Sequence, residues 1–177
     1  MREDSPSRIS FFQAGRACSF VKSEARLEVV DVALWDSKSN KIALFKKVPL
    51  FEGLTPRQVG QISRLADQVE VREGRRLATA GETGRELFII VEGRATVETP
   101  RGRTVHLGRG DFFGEMSLID GAVRSATVTA DGPMKLLVIG QREFWELLNA
   151  APSISKKIMS TLAARLRDAD AAYSKVP

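Results

Sequence analysis

FGEMSLIDGAVRSATV, Phe113 to Val128, is the stretch on which the reading of this chain turns. It falls between two strand-like runs, TVHL (104–107) and ATVTA (126–130), so it is an excursion from a sheet rather than a strand. Gly114 precedes Glu115, Met116, Ser117 and Leu118, enough for about one helical turn, and a helix start aims free backbone N–H groups outward at a small anion. Nine residues after Glu115 stands Arg124, beside the small residues Ser125 and Ala126. A guanidinium grips a phosphate through two parallel hydrogen bonds, and small neighbours let a ligand approach the backbone closely. Glu115 repels a phosphate but can accept a hydrogen bond from a hydroxyl such as a ribose 2′-OH. Anion grip, hydroxyl acceptor and close backbone approach together describe a pocket for a ribose cyclic phosphate. The plainer alternative is an Arg124–Glu115 ion pair that merely pins a loop.

Outward from this stretch, short apolar runs alternate with turn residues. The runs are VEV (69–71), LFIIV (87–91), ATVE (95–98), TVHL, ATVTA and KLLVI (135–139). Glu73-Gly74, Ala80-Gly81, Glu92-Gly93, Arg101-Gly102, Gly108 to Gly110 and Asp131-Gly132 punctuate them. Such regular punctuation predicts an antiparallel β-roll or jelly-roll barrel over residues 67–140. Ahead of it, Thr55-Pro56 is an N-cap with proline at the first helical position, and Val59, Ile62 and Leu65 share one helix face. After it, residues 141–149 put Phe144, Leu147 and Leu148 on one side of a helix. Pro152 then opens another, with Ile154, Ile158, Leu162 and Leu166 at every fourth position. The expected class is α+β, mainly β: a roll flanked by an N-terminal helical segment (41–66) and two C-terminal helices (141–172). Residues 1–40 form an extension without an assigned role. Within it, 1–19 reads as a mobile leader, LEVVDVALW (27–35) fits a strand or a helix face equally, and Asp36 to Asn40 is a polar break.

Composition narrows the function classes. The chain has 177 residues, 43% hydrophobic and 28% charged, room for one domain with extensions and an ordinary core. Its longest purely apolar run is five residues, Leu87 to Val91, too short to span a bilayer. The single cysteine, Cys18, cannot build a disulfide framework or a CxxC metal site, and a reducing, cytoplasmic setting fits it. The net charge of +5 sits in the flanks: residues 49–150 carry thirteen Lys/Arg against fourteen Asp/Glu, so the centre is balanced. That distribution describes solvated faces better than a nucleic-acid reading element. The lone histidine, His106, cannot assemble a metal-dependent cupin or a nucleophilic triad, so neither a catalytic nor a metal site is expected. Gly81, Gly84, Gly108 and Gly110 read as turn glycines, since no βαβ unit follows them.

GETGRELFIIVEGRATV (Gly81 to Val97) and LGRGDFFGEMSLI followed by RSATV resemble the strand-turn-strand and the phosphate-binding cassette of the cyclic-nucleotide-binding domain family. That family is shared by kinase regulatory subunits, gated channels and bacterial catabolite-activator-type regulators. The resemblance runs from about Lys46 to Asp170 and places the cassette at 113–128. It implies that Glu115 holds the ribose 2′-OH and Arg124 the cyclic phosphate. Gly114, Met116 and Ser117 would add backbone contacts, and Ser125, beside Ala126, would touch phosphate or base. Val123 replaces the proline that many members carry before the arginine. Ser125 is similar to the bacterial activators and admits cGMP beside the favoured cAMP.

The resemblance further implies a non-enzymatic receptor without a cofactor, in which ligand repacks the flanking helices. Phe45, Val48, Leu50, Phe51 and Leu54 resemble the hinge before the roll, and Leu162, Arg165, Leu166 and Tyr173 are candidate lid residues over the base. The chain stops at Pro177, close after the last helix, so direct DNA binding is not expected. Output is expected through a protein effector in trans, self-association or the first 48 residues. Two other readings are a ligand-independent interaction module on the same fold, and a membrane-surface adaptor using the basic flanks with Phe11, Phe12 and Phe20.

Overall fold

The structure, a computed structural model, describes Ala43, Phe45, Lys46 and residues 48–173, with side chains as far as Ala171. The expectations for residues 1–40, including Cys18, Phe11, Phe12 and Phe20, lie outside the described residues, as does the side chain of Tyr173. Eight strands form two antiparallel four-stranded sheets. One sheet has the order β1 (Ala66–Val71), β8 (Met134–Gly140), β3 (Glu86–Glu92), β6 (Phe112–Phe113). The other runs β2 (Arg76–Ala78), β7 (Thr127–Ala130), β4 (Ala95–Glu98), β5 (Thr104–Leu107). Each of the six apolar runs quoted above contributes a strand. The two that the runs do not show, β2 and β6, are three and two residues long and so carry no readable alternation.

The unbroken apolar run in β3 has a structural cause. Leu87, Ile89 and Val91 face a core shared with the helices, while Phe88 and Ile90 face the space between the sheets. Its neighbour β8 divides in the same way, Leu137 and Ile139 to one side and Leu136 and Val138 to the other. A strand buried on both faces has no polar side to alternate with.

Helix α1 (Pro56–Ile62) begins with a full capping box. Gln58 N–H donates to Thr55 Oγ1 and Thr55 N–H donates to Gln58 Oε1, which satisfies two otherwise orphaned donors. A 3₁₀ turn, Pro49–Phe51, precedes it. Phe45, Val48, Leu50 and Phe51 join the helical core together with Phe144 and Leu147 of α3 (Gln141–Ala150) and Ile154 and Ile158 of α4 (Pro152–Tyr173).

The four-residue stripe on α4 does not hold along its length. Ile154 and Ile158 are buried and Leu162 partly so, but Leu166 is 64% exposed. At 3.6 residues per turn, each step of four drifts by about 40°, so three steps carry the last leucine well off the packed face. Among the described residues no helix is long and apolar enough to cross a membrane.

Candidate ligand-binding site

The excursion after β6 is a short helix, α2 (Glu115–Asp120), entered through Gly114 at φ 90°. A side chain is excluded at Gly114 on two counts: the left-handed backbone, and a Cβ that would sit 2.5 Å from both Glu86 O and Arg124 Nη1. Gly114 to Ser117 and Arg124 to Ala126, all seven of the expected cassette residues, line one cavity of about 220 Å³ between this segment, the β4–β5 hairpin and α4. Arg165 and Asp168 of α4, together with Thr99 and Arg103 of the β4–β5 turn, complete its polar lining.

Arg124 is buried and tied down on several sides. Nη1 donates to Gly114 O and Ser117 Oγ, each at 3.0 Å, and Nη2 pairs with Glu86 Oε2 at 2.9 Å. Those contacts take three of its five N–H donors. Its backbone is pinned as well: Arg124 N–H donates to Glu82 O, and Gly81 N–H donates to Arg124 O. Burial pulls the guanidinium's pKa down, and the Glu86 carboxylate beside it pushes it back up.

Glu115 is 1% exposed. Its Oε1 accepts from Arg165 Nη1 at 2.7 Å, while its buried Oε2 has no partner among the described residues. Burial raises this carboxyl above its ordinary value, against the opposing pull of Arg165, of its own backbone and of Arg124. An unmet buried acceptor costs about 1–3 kcal/mol, so a hydroxyl donor arriving there gains a ready partner. The Arg124–Glu115 ion pair that could have pinned the loop does not form. Each group has a different partner, and both line the same hollow.

Of the three candidate lid residues whose side chains are described, the structure brings one to the cavity. Arg165 reaches across from α4 to Glu115 and to the Phe112 carbonyl, its guanidinium 5.2 Å from the Phe112 ring centroid. Leu162 packs against the helical core and Leu166 stands at the surface; neither lines the cavity, because the helix turns them away from it. A cover of the base by those two leucines therefore does not fit this arrangement.

Residues 68–151 match the family model described as the cyclic nucleotide-binding domain. That segment is a domain of this family. A cyclic nucleotide-gated potassium channel of Rhizobium etli is 41% identical over 122 residues, covering 69% of this chain and 34% of the channel. A cAMP-dependent protein kinase regulatory subunit of Mycosarcoma maydis is 37% identical over 140 residues, 70% of this chain and 26% of that protein. The chain thus spans about a third or less of the curated relatives it matches first. Among solved structures, the catabolite activator protein of Thermus thermophilus superposes with a TM-score of 0.63 at 29% identity, over 71% of this chain and 62% of that one.

Two residues of this cyclic nucleotide-binding domain escape a reading of the cassette alone, and both act on Arg124. Glu86 lies 38 positions away in sequence, on β3. Gly84 reads as a turn glycine, yet its φ is unremarkable. What requires it is proximity: a Cβ there would lie 1.7 Å from Arg124 Nε and 2.1 Å from its Cζ. Gly84→Ala is therefore expected to displace the guanidinium from Glu86 and Ser117 and to lower nucleotide affinity at least tenfold. The fold should survive, because the clash is with a side chain and not with backbone. Calorimetric titration beside a thermal melt checks this; unchanged affinity would mean that the position of Arg124 is not what binding depends on.

Proposed function

We propose that this chain is a receptor module for a 3′,5′-cyclic nucleotide, cAMP ahead of cGMP, which it binds without chemical reaction. The observation that carries the reading is the pairing of two buried, oppositely charged side chains on one cavity wall. Arg124 brings a guanidinium to it and Glu115 has an acceptor oxygen to spare. A cyclic phosphate carries one negative charge and takes parallel N–H donors, and the ribose 2′-OH donates the hydrogen bond that Glu115 Oε2 lacks. Two further arginines line the cavity, Arg165, which is engaged by Glu115, and Arg103 of the β4–β5 turn. The apolar flank of the cavity, Val97, Val105 and Leu107, offers the base a surface to lie against.

Binding would draw α2 against the roll and reset α4 through Arg165, so the output is a movement of helices passed to a protein effector or to a second copy. A cytoplasmic setting and the absence of any cofactor belong to the same proposal. The names of the relatives support cAMP: one is a cAMP-dependent kinase regulatory subunit, another a cyclic AMP receptor protein. One feature of the wall favours cGMP instead. Asp168 brings an acceptor-only carboxylate to the cavity, and guanine offers it two adjacent donors, N1–H and the 2-amino group.

Calorimetric titration of the intact chain with cAMP, cGMP and 5′-AMP tests both readings. Saturable heats for the cyclic ligands and little for 5′-AMP are expected, with cAMP the tighter. A reversed order would assign the chain to cGMP. Silence with all three would leave a ligand-independent interaction module on the same fold.

A further inference from the structure

Met116 is a methionine that packing does not require. It stands second in α2, belongs to neither of the two buried apolar clusters and is 45% exposed, yet it lines the cavity beside Ser125 and Ala126. Its sulfur already has a donor: Ser125 Oγ–H points to Met116 Sδ at 3.7 Å. The other two methionines among the described residues set a scale. Met134 is 2% exposed and packed between the sheets, and Met159 is 63% exposed on α4 but does not line the cavity. A thioether is oxidised where solvent can deliver the oxidant, so Met116 and Met159 are open to it and Met134 is shielded. Of the three, Met116 alone carries that chemistry into the cavity wall.

With hydrogen peroxide as oxidant the step balances on its own. The Met116 sulfur lone pair attacks one peroxide oxygen, an S–O bond forms as the O–O bond breaks, and the departing hydroxide takes up the proton of the transferred oxygen to leave as water. Sulfur gives up two electrons and the peroxide gains them. A flexible apolar side chain becomes a polar one with a strong acceptor oxygen. Ser125 Oγ is close enough to the sulfur to bond an oxygen carried on it, since O–H···O contacts run at about 2.7 Å. That bond keeps the new oxygen inside the wall rather than out in solvent. There it fills part of a hollow of about 220 Å³, occupies the Ser125 donor and opposes the oxygens of any anion that Arg124 holds.

We propose that Met116 is a reversible oxidation site: a peroxide converts its thioether to the sulfoxide, Ser125 holds the new oxygen in the cavity, and the cavity then takes a cyclic nucleotide poorly. The oxidation site stands on the sulfur's place in the fold, whereas the block rests on the receptor reading above. A bound nucleotide covers the same wall, so ligand and oxidant exclude one another there.

Peptide mass spectrometry and calorimetry on the full chain with Cys18→Ser, treated with hydrogen peroxide, separate the two parts. Met116 and Met159 are expected to gain oxygen at comparable rates while Met134 stays reduced, and saturating cAMP should slow Met116 severalfold without touching Met159. The oxidised chain should bind cAMP about 5- to 150-fold more weakly, the cost of an unmet acceptor, and methionine sulfoxide reductase with a thiol should restore it. The loss should persist in Met159→Leu and vanish in Met116→Leu, each protein being compared with itself before and after peroxide. In Ser125→Ala the sulfoxide can turn outward and the loss should shrink; an undiminished loss would overturn the part given to Ser125. Met116 left reduced while Met159 is oxidised would overturn the site. Full oxidation of Met116 at unchanged affinity would overturn the block. Silence of the untreated chain toward cAMP would overturn the receptor reading and leave the oxidation site standing on the mass spectra.

Discussion

Arg124→Ala is expected to weaken cAMP binding by about 30-fold to about 4,000-fold, the equivalent of the ~2–5 kcal/mol typical for removing one partner of a buried charged contact. The wide range reflects what the mutation leaves behind. Glu86 loses the cation at 2.9 Å and Ser117 Oγ and Gly114 O lose their donor, so part of the cost falls on the free protein. Arg124→Lys separates the components. An ammonium keeps the charge but cannot hold Gly114 O, Ser117, Glu86 and a phosphate at fixed planar angles, so most of the loss should remain. Calorimetry of the three proteins against cAMP gives the answer, and equal affinity for Arg124→Ala and the unaltered chain would remove Arg124 from the site.

Glu115 supplies the second large effect, and its sign follows from burial. The carboxyl is raised above the ordinary 4.5, chiefly because its charged form is desolvated. The folded, ligand-free protein therefore holds that proton more tightly than the unfolded chain does. Its contribution to stability is fully present below the ordinary value and is lost as pH rises through the raised one. Ligand binding runs the other way, because the 2′-OH needs the ionised acceptor. cAMP affinity should fall on acidification through the raised pKa, beginning at a higher pH than an exposed carboxylate would give, and Glu115→Gln should flatten that dependence. Toward cAMP, Glu115→Ala is expected to cost about 10- to 150-fold, the value of a hydrogen bond to a charged group. Toward 2′-deoxy-cAMP it should cost little. An equal loss with both ligands would show that the carboxylate does not meet the ribose.

How much of this was readable in advance depends on how far apart the interacting residues lie in the chain. Six of the eight strands are legible because hydrophobic runs and turn residues are local signals, whereas β2 and β6 are too short to give one. The cassette was legible because Glu115 and Arg124 sit within one excursion, where spacing reports geometry. Glu86 was not, since nothing in its neighbourhood along the chain says that its carboxylate meets a guanidinium 38 positions later. Gly84 is hidden for a related reason: it looks like every other turn glycine until the side chain lying against its Cα is known. On α4 the period of four does not hold along the helix: drift carries Leu166 to the surface, while Arg165, one position earlier, reaches the cavity. The mouth residues Arg103 and Asp168 were silent, because isolated charges on a turn and on a helix read as solvated.

The account's centre is the joint use of Arg124 and Glu115 on a single bound nucleotide. A crystal structure of the intact chain grown with cAMP measures this directly. The prediction is an exocyclic phosphate oxygen within about 3 Å of the Arg124 guanidinium and the ribose 2′-oxygen at a similar distance from Glu115 Oε2, with Glu86 still flanking the arginine. A nucleotide seated elsewhere, or a cavity left empty at saturating cAMP while Arg124 and Glu115 keep only their present partners, would contradict it.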